Sequence, residues 1–275
     1  MNFYMFHGGT NFGFMNGANY DGVYSPTVTS YDYNAPLNEA GDLTAAYYSL
    51  RDMVASYGYP VPPLTARDSE KAAYGVVTME EYAGLLSVAD TLTAPVACAA
   101  CPYMEDVGQA YGYILYRTVL RGPREDWPLF IEEVHDRAQI FINGEHRSTM
   151  ERWRRDPSGF AGISIPLKED EEARLEILVE NMGRVNYGAK LRDRKGIHGV
   201  RFHGQYHFGW EVLPLPMQDL SQLPFCGIAQ EKLPLVGPVF LRGQLKIEDE
   251  PRDTCLRLDG FTKGLVTVNG RCIGR

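Results

Sequence analysis

Several features are scarce in this chain, and each scarcity narrows what it can do. No run of 18 or more apolar residues occurs, so no segment reads as a membrane-spanning helix. Positive charge is outnumbered: 27 Lys and Arg face 35 Asp and Glu, a net charge of −8 at pH 7. With a pI near 5.3, nucleic acid and anionic membranes are poor partners. Only five cysteines occur, an odd number in a large chain, so no disulfide framework is expected. Cys98 and Cys101 form a CxxC, but no second pair completes a zinc site, and they read as incidental thiols in a loop of small residues. Met1 leads straight into an apolar run with no charged n-region, so no signal peptide is read there. No helix start follows Gly8-Gly9, as a phosphate-cradling loop would need.

What is present is an ordinary globular composition, 44% hydrophobic and 23% charged, over 275 residues. That length holds one large domain or two to three small ones. Phe3 to Phe6 is a short apolar run, as expected of a parallel strand buried on both faces. A long loop rich in aromatic residues, Asn and Asp follows. Asp42 is a candidate N-cap, and Leu43, Tyr47, Leu50, Val54 and Tyr57 then recur at helical spacing until Gly58 and Pro60. Residues 1–60 thus read as one β-loop-α unit, which cannot bury a core alone. A strand that needs neighbours and has none upstream suggests the back part of a larger protein.

Residues 61–110, opening on Pro60-Val61-Pro62-Pro63, read as a connector with weak strand signals at Gly75–Thr78 and Tyr82–Val88. From Tyr111 the pattern changes to short, turn-bounded β segments: Ile114–Tyr116, Pro128–Ile131, Ala138–Ile142, Gly162–Pro166, Leu175–Glu180 and Gly199–Phe202. Six such strands in about 100 residues point to a β-sandwich over 111–215. Asn143-Gly144 is a hairpin turn signal. An internal repeat echoes it: Asp136 to Gly144 and Thr262 to Gly270 both run two polar residues, a small residue, alternating apolar positions, then Asn-Gly. Residues 216–275 therefore read as a second, incomplete sandwich.

Among chemical candidates, His198, His203 and His207 are spaced like metal ligands but have no Cys or carboxylate clustered with them, so they read as surface histidines. Asp32 and Glu39 are tempting catalytic carboxylates in the long loop, yet turn hydrogen bonds or helix-end charge account for them. In LVENMGRVNYG, Arg184 is expected to pair with Glu180, and Asn181 and Gly183 to make the turn.

The motifs NFYMFHGGTNFGFMNGAN (Asn2–Asn19) and PTVTSYDYNAPLNEAGD (Pro26–Asp42) closely resemble the last barrel strand and following loop of glycoside hydrolase family 35, the retaining β-galactosidases. GYILYRT (Gly112–Thr118), DRAQIFINGE (Asp136–Glu145), LVENMGRVNYG (Leu178–Gly188) and GFTKGLVTVNG (Gly260–Gly270) are similar to the β-domains that follow that barrel. The resemblance implies a multidomain α/β plus all-β chain: the last βα unit of a (β/α)₈ barrel, then two jelly-roll, galactose-binding-like sandwiches, the second truncated. It implies hydrolysis of terminal β-linked galactose by two glutamates on earlier barrel strands. Those strands are not in this sequence, so no catalytic residue is assigned, and no metal or cofactor is implied. Tyr4 matches the family tyrosine on the last barrel strand that approaches the catalytic centre, and Tyr33 one that contacts the terminal galactose; a Tyr offers a flat apolar face to the sugar and an O–H to a hydroxyl. The other reading is a non-catalytic galactose-binding sandwich protein, which accounts for residues 111–275 but not for the motif at 2–42.

Overall fold

A computed structural model describes residues 2–65, 67–154, 158–229 and 237–275. The chain opens with the hairpin β1 (Gly17–Asp21) and β2 (Val23–Pro26), then helix α1 (Ala45–Ser56), β3 (Met79–Gly84) and helix α2 (Leu85–Leu92). Next come β4 (Val96–Cys98), β5 (Tyr113–Arg121), β6 (Pro128–Glu132), β7 (Arg137–Ile142), β8 (Glu145–Glu151), β9 (Phe160–Ser164) and β10 (Glu172–Glu180). Short strands β11 (Arg184–Val185), β12 (Gly199–Phe202) and β13 (Gln205–Tyr206) precede β14 (Trp210–Leu215). Strands β15 (Cys226–Gly227), β16 (Val239–Gly243), β17 (Val266–Val268) and β18 (Arg271–Gly274) complete the order. Two compact units result. Unit 1 is Met1–Asn16, Thr27–Val77 and Gln244–Arg275; unit 2 is Gly17–Pro26 and Thr78–Gly243.

Unit 2 is built on a sandwich. One sheet has the order β4-β14-β5-β10-β7-β8 and the other β13-β12-β6-β9, and every pairing in both is antiparallel. The reason is period 2: Ile114, Tyr116 and Leu120 on β5, and Leu175, Ile177 and Val179 on β10, point to the same side and are fully buried. They meet Leu129 and Ile131 of β6, and Val200 and Phe202 of β12, in a single apolar cluster. Burying each such side chain stabilises by about 1.5–3 kcal/mol. The expected strands are present, with Gly162–Pro166 displaced to Phe160–Ser164. Asn143 and Gly144 both take positive φ, 52° and 80°, as a two-residue hairpin with right-handed twist requires. The repeat builds the same turn at Asn269 (49°) and Gly270 (80°), joining β17 to β18.

At one end of the sandwich lies a group of charges sealed from solvent. Lys195 and Asp136 are fully buried, and Asp193 is 8% exposed. Lys195 Nζ donates to both Asp136 oxygens (2.9 and 2.8 Å) and to the Gly183 carbonyl (2.8 Å), and pairs with Asp193 Oδ2 at 2.8 Å. Arg152 Nη1 bridges the same two carboxylates at 3.0 and 2.8 Å. Two cations thus face two anions. Tyr24 of β2 closes the group, donating to the Gly183 carbonyl at 2.6 Å with Arg152 4.4 Å above its ring. The hairpin β1–β2 is held to unit 2 by that bond and by parallel pairing of β1 with β11.

The region 61–110 is more structured than a connector. Tyr82–Val88, expected as a strand, spans the end of β3 and the first turn of α2, because its apolar residues pack on both sides of a strand-helix joint; Gly75–Thr78 forms no strand. β3 is the centre of a small antiparallel sheet, β15-β3-β16, and Val88 packs with Ala83 and Leu223.

Unit 1 is thinly packed. Phe3–Phe6 does not form the expected strand: a parallel strand buried on both faces needs partners, and only isolated bridges, His7 with Leu37 and Thr10 with Ser30, occur nearby. The N-cap of α1 is Thr44, not Asp42, whose carboxylate instead meets Lys71 at 3.0 Å and Asn38. No residue of α1 is buried. Gly58 ends the helix as expected, at φ 80° with its N–H on the Ala55 carbonyl.

Two expected outcomes follow from this contrast. Lys195→Met leaves two buried carboxylates facing one cation and should cost about 3–5 kcal/mol in urea unfolding. Arg121→Met, which breaks an exposed pair with Glu172, should cost about 0–1 kcal/mol. Equal costs would show that the buried group is not a stabilising constraint. Limited proteolysis of the 275-residue chain should leave a resistant core over Thr78–Gly243 while unit 1 is cut. A chain that resists throughout and melts in one cooperative transition would contradict this.

Candidate substrate-binding loop

The segment holding the sequence-derived site is a pair of apposed strands of irregular backbone in unit 1. The Leu37 N–H donates to the Phe6 carbonyl (3.1 Å), Tyr31 N–H to Gly9 (3.0 Å), and Asn11 N–H to Thr29 (2.7 Å). The approach is close enough to dictate residue type. A Cβ on Gly8 would lie 1.6 Å from the Tyr31 carbonyl oxygen, so only glycine fits. Gly9 takes φ 81°, turning the chain away. Glu39 Oε2 accepts from the Thr10 hydroxyl at 2.9 Å, a structural role as expected.

Tyr33 sits at the tip of this loop. The Ala35 N–H donates to the Asp32 carbonyl at 3.1 Å, and the two central residues, Tyr33 and Asn34, have φ 52° and 54°. Asp32 therefore closes a tight turn through its backbone, and the turn presents Tyr33 outward, 62% exposed. Tyr33 packs on Tyr31, ring centroids 4.8 Å apart and tilted 59°. Tyr4 is 90% exposed, two residues before the Phe6–Leu37 pairing. No hydrogen bond or ring contact joins Tyr4 to Tyr33 among the described residues. Phe14 is buried under the Arg275 guanidinium, 4.5 Å above its ring.

The other sequence candidates lie in unit 2 in separate settings. His198 Nδ1 meets the Tyr103 hydroxyl at 3.0 Å, and His203 stacks on Trp127 with centroids 5.5 Å apart. His207, read as a surface residue, is half-buried against Phe202 and Trp210 with Nε2 on the Thr118 hydroxyl at 3.0 Å. All five cysteines are free, and burial pushes the Cys101 thiol well above its ordinary range. Among the described residues no cluster of His, Cys, Asp and Glu has metal-binding geometry. Arg184 pairs with Glu105 at 2.5 Å rather than with Glu180, because β11 turns it toward the 105–110 loop, where it also donates to the Ala110 carbonyl. The Asn181 side chain accepts from the Gly183 N–H, making the expected turn. A groove of about 580 Å³ in unit 2 is lined by Ser87, Asp90, Arg117, Arg174 and Glu211. Its charges are paired: Arg117 takes both oxygens of Asp90 and one of Glu211, and Arg174 meets Glu176.

Sequence reasoning missed the buried group around Lys195. Asp136 was visible as a polar residue opening the repeat, but nothing in its spacing marks it as buried. Its partners Arg152, Asp193 and Lys195 are 16 to 59 residues away.

The family description "Glycosyl hydrolases family 35" matches residues 1–57. "Beta-galactosidase, first all-beta domain" matches 102–216, and "Beta-galactosidase, galactose-binding domain" matches 238–275. "Beta-galactosidase 17" of Arabidopsis thaliana is 36% identical over 305 residues, covering 99% of this chain and 43% of the relative. "Beta-galactosidase" of Xanthomonas manihotis is 37% identical over 281 residues, 100% of this chain and 44% of the relative. "Beta-galactosidase" of Homo sapiens is 35% identical, covering 100% of this chain and 42% of the relative. The chain thus spans less than half the length of these relatives.

Burial gives the sandwich a pH dependence. His135, held against Arg152, and His207, against Arg124, are both kept below the usual imidazole value of 6.5, first by burial and then by the neighbouring cation. A depressed folded-state pKa means that the unfolded chain binds protons first as pH falls below 6.5. Stability of unit 2 should therefore be full above about pH 6.5 and decline toward pH 5. The Asp193 carboxyl, held low by Arg152 and Lys195 against its burial, loses its contribution only below its ordinary 3.8. Urea midpoints from pH 7.5 to 5 check this, and a midpoint that rises on acidification would contradict it. Matched in order by three profiles of one enzyme family and along its whole length by β-galactosidases, the chain belongs to the family 35 glycosyl hydrolases.

Proposed function

We propose that this chain supplies the sugar-facing loop and the β-domains of a retaining exo-β-galactosidase that releases terminal non-reducing β-D-galactose from oligosaccharides or glycans. The observation that carries this reading is the ordered match of the whole chain to β-galactosidases at 35–37% identity. The loop geometry supports it. Tyr33 stands on a turn that holds it toward solvent, braced by Tyr31, and Tyr4 is the most exposed aromatic residue of the neighbouring segment. Both present a ring face and a hydroxyl, the combination that suits galactose.

In this reading residues 1–60 are the last βα unit of a (β/α)₈ barrel, 111–215 a jelly-roll sandwich and 216–275 part of a second, with the structured segment 61–110 between the first two. The acid/base and nucleophile glutamates belong to barrel strands outside this sequence, so the 275-residue chain by itself does not turn over substrate. No metal or organic cofactor is needed, because two carboxylates suffice for double displacement through a galactosyl-enzyme. The alternative, a non-catalytic galactose-binding protein, draws on the match at 238–275 but leaves the family 35 match at 1–57 without a role.

The purified chain should show no hydrolysis of a chromogenic β-galactoside above buffer. In a polypeptide that joins it to the catalytic strands, Tyr33→Phe should lower kcat/KM roughly 5- to 150-fold, the loss of one hydrogen bond of about 1–3 kcal/mol to the sugar. Unchanged kcat/KM in that variant would remove Tyr33 from the site. Turnover by the chain alone would place the catalytic carboxylates within it.

A further inference from the structure

We propose that Arg124 and His207 form an anion-binding site at the edge of the unit 2 sandwich, accepting an oxyanion, a sulfate or carboxylate, either carried by a glycan or free in solution.

Arg124 is placed by its backbone, which exchanges both hydrogen bonds with Leu167 at 2.7 and 3.0 Å. Its guanidinium lies 4.7 Å above the ring of Phe202, a core residue only 4% exposed. Nε is sealed from solvent with no acceptor, and no carboxylate pairs with the side chain among the described residues. Other half-buried arginines of unit 2 differ: Arg117, Arg152 and Arg201 each face at least one Asp or Glu. Buried donors are nearly always satisfied, and a guanidinium partly withdrawn from water without a counterion is unfavourable unless something supplies one.

His207 packs edge-on against the same Phe202 ring, centroids 5.9 Å apart at 90°. The Thr118 hydroxyl donates its one proton to the Gly209 carbonyl (2.9 Å), so toward His207 Nε2 (3.0 Å) it accepts. The neutral ring therefore carries its proton on Nε2, and Nδ1 is the atom that titrates. The Arg124 charge opposes a proton there, beyond what burial already does. An oxyanion at this edge would give the Arg124 guanidinium a counterion and let His207 Nδ1–H become a second charged donor. Charged hydrogen bonds of this kind are about twice as strong as neutral ones.

The test is an NMR titration of the 275-residue protein with sodium sulfate, against sodium chloride at equal ionic strength, reading the Arg124 Nε–H and the His207 ring protons. Sulfate should give saturable shifts that chloride does not, and should move the His207 titration to higher pH. Arg124→Met, which keeps the apolar cover on Phe202, should weaken saturation tenfold or more, the loss of a charged hydrogen bond. Arg121→Met should leave it unchanged. If the Met variant does not fold, Arg124→Lys retains charge and stem but not the donor fork, and saturation should weaken several-fold. Galactose 3-sulfate and galacturonate separate the sources: half-saturation below that of sulfate and acetate, respectively, indicates a glycan-borne group, and equal values indicate the ion itself. Linear shifts matching chloride, or full affinity in either Arg124 variant, would overturn the proposal.

Discussion

The sandwich is organised by a neutral set of four charges largely withdrawn from water. Lys195 and Arg152 face Asp136 and Asp193, and Lys195 also binds the Gly183 carbonyl. Desolvating four ions is costly, and the arrangement holds only because each carboxylate meets two cations and Asp136 also accepts from the Met182 N–H. Removing any member would leave a buried charge uncompensated. The group therefore locks five stretches of chain together: the 135–136 entry to β7, Arg152 after β8, the 181–183 turn, the 193–195 loop and the hairpin carrying Tyr24. Apolar packing would stabilise these stretches without specifying their register, whereas paired charges accept one geometry.

Unit 1 is held by different means. Its segments 6–11 and 29–37 are joined by backbone hydrogen bonds and by a glycine contact that no other residue could make. Its apolar side chains are mostly exposed: Phe3, Tyr4, Phe6 and Phe12 all lie above a third of full exposure. The chain also interleaves the two units, because β1–β2 belongs to unit 2 although it interrupts the aromatic loop that leads to Tyr33. A loop with little core of its own can place a tyrosine accurately only if its backbone is over-determined, and the turn at 32–35 supplies that at its tip.

How much of this could be read from residues alone depended on whether a pattern was local. Strands β5, β7, β10 and β12 were legible because alternation at period 2 is written into adjacent residues, and the Asn143-Gly144 hairpin because the turn dictates residue type. The strand at Phe3–Phe6 failed because an apolar run signals burial without supplying the neighbours that make a sheet. Asp42 looked like a cap from its position before the helical pattern, but Lys71 and Asn38 compete for its carboxylate. Tyr82–Val88 was misread because a strand that runs directly into a helix carries apolar residues of both periods. The buried quartet was invisible, since its members are scattered over sixty residues and each resembles an ordinary surface charge. Of the candidate site, the placement of Tyr33 on a turn was foreseeable from the density of Asn and Asp, while its left-handed backbone was not.

The central claim is that the turn at 32–35 faces the terminal galactose. It is tested most directly by placing 3-fluorotyrosine at position 33 in the whole enzyme and recording its ¹⁹F resonance during titration with a galactose-based competitive inhibitor and with its glucose epimer. The account predicts a saturable shift with the galactose compound whose midpoint equals the inhibition constant, and little change with the epimer. A resonance that stays fixed while activity is fully inhibited would contradict it.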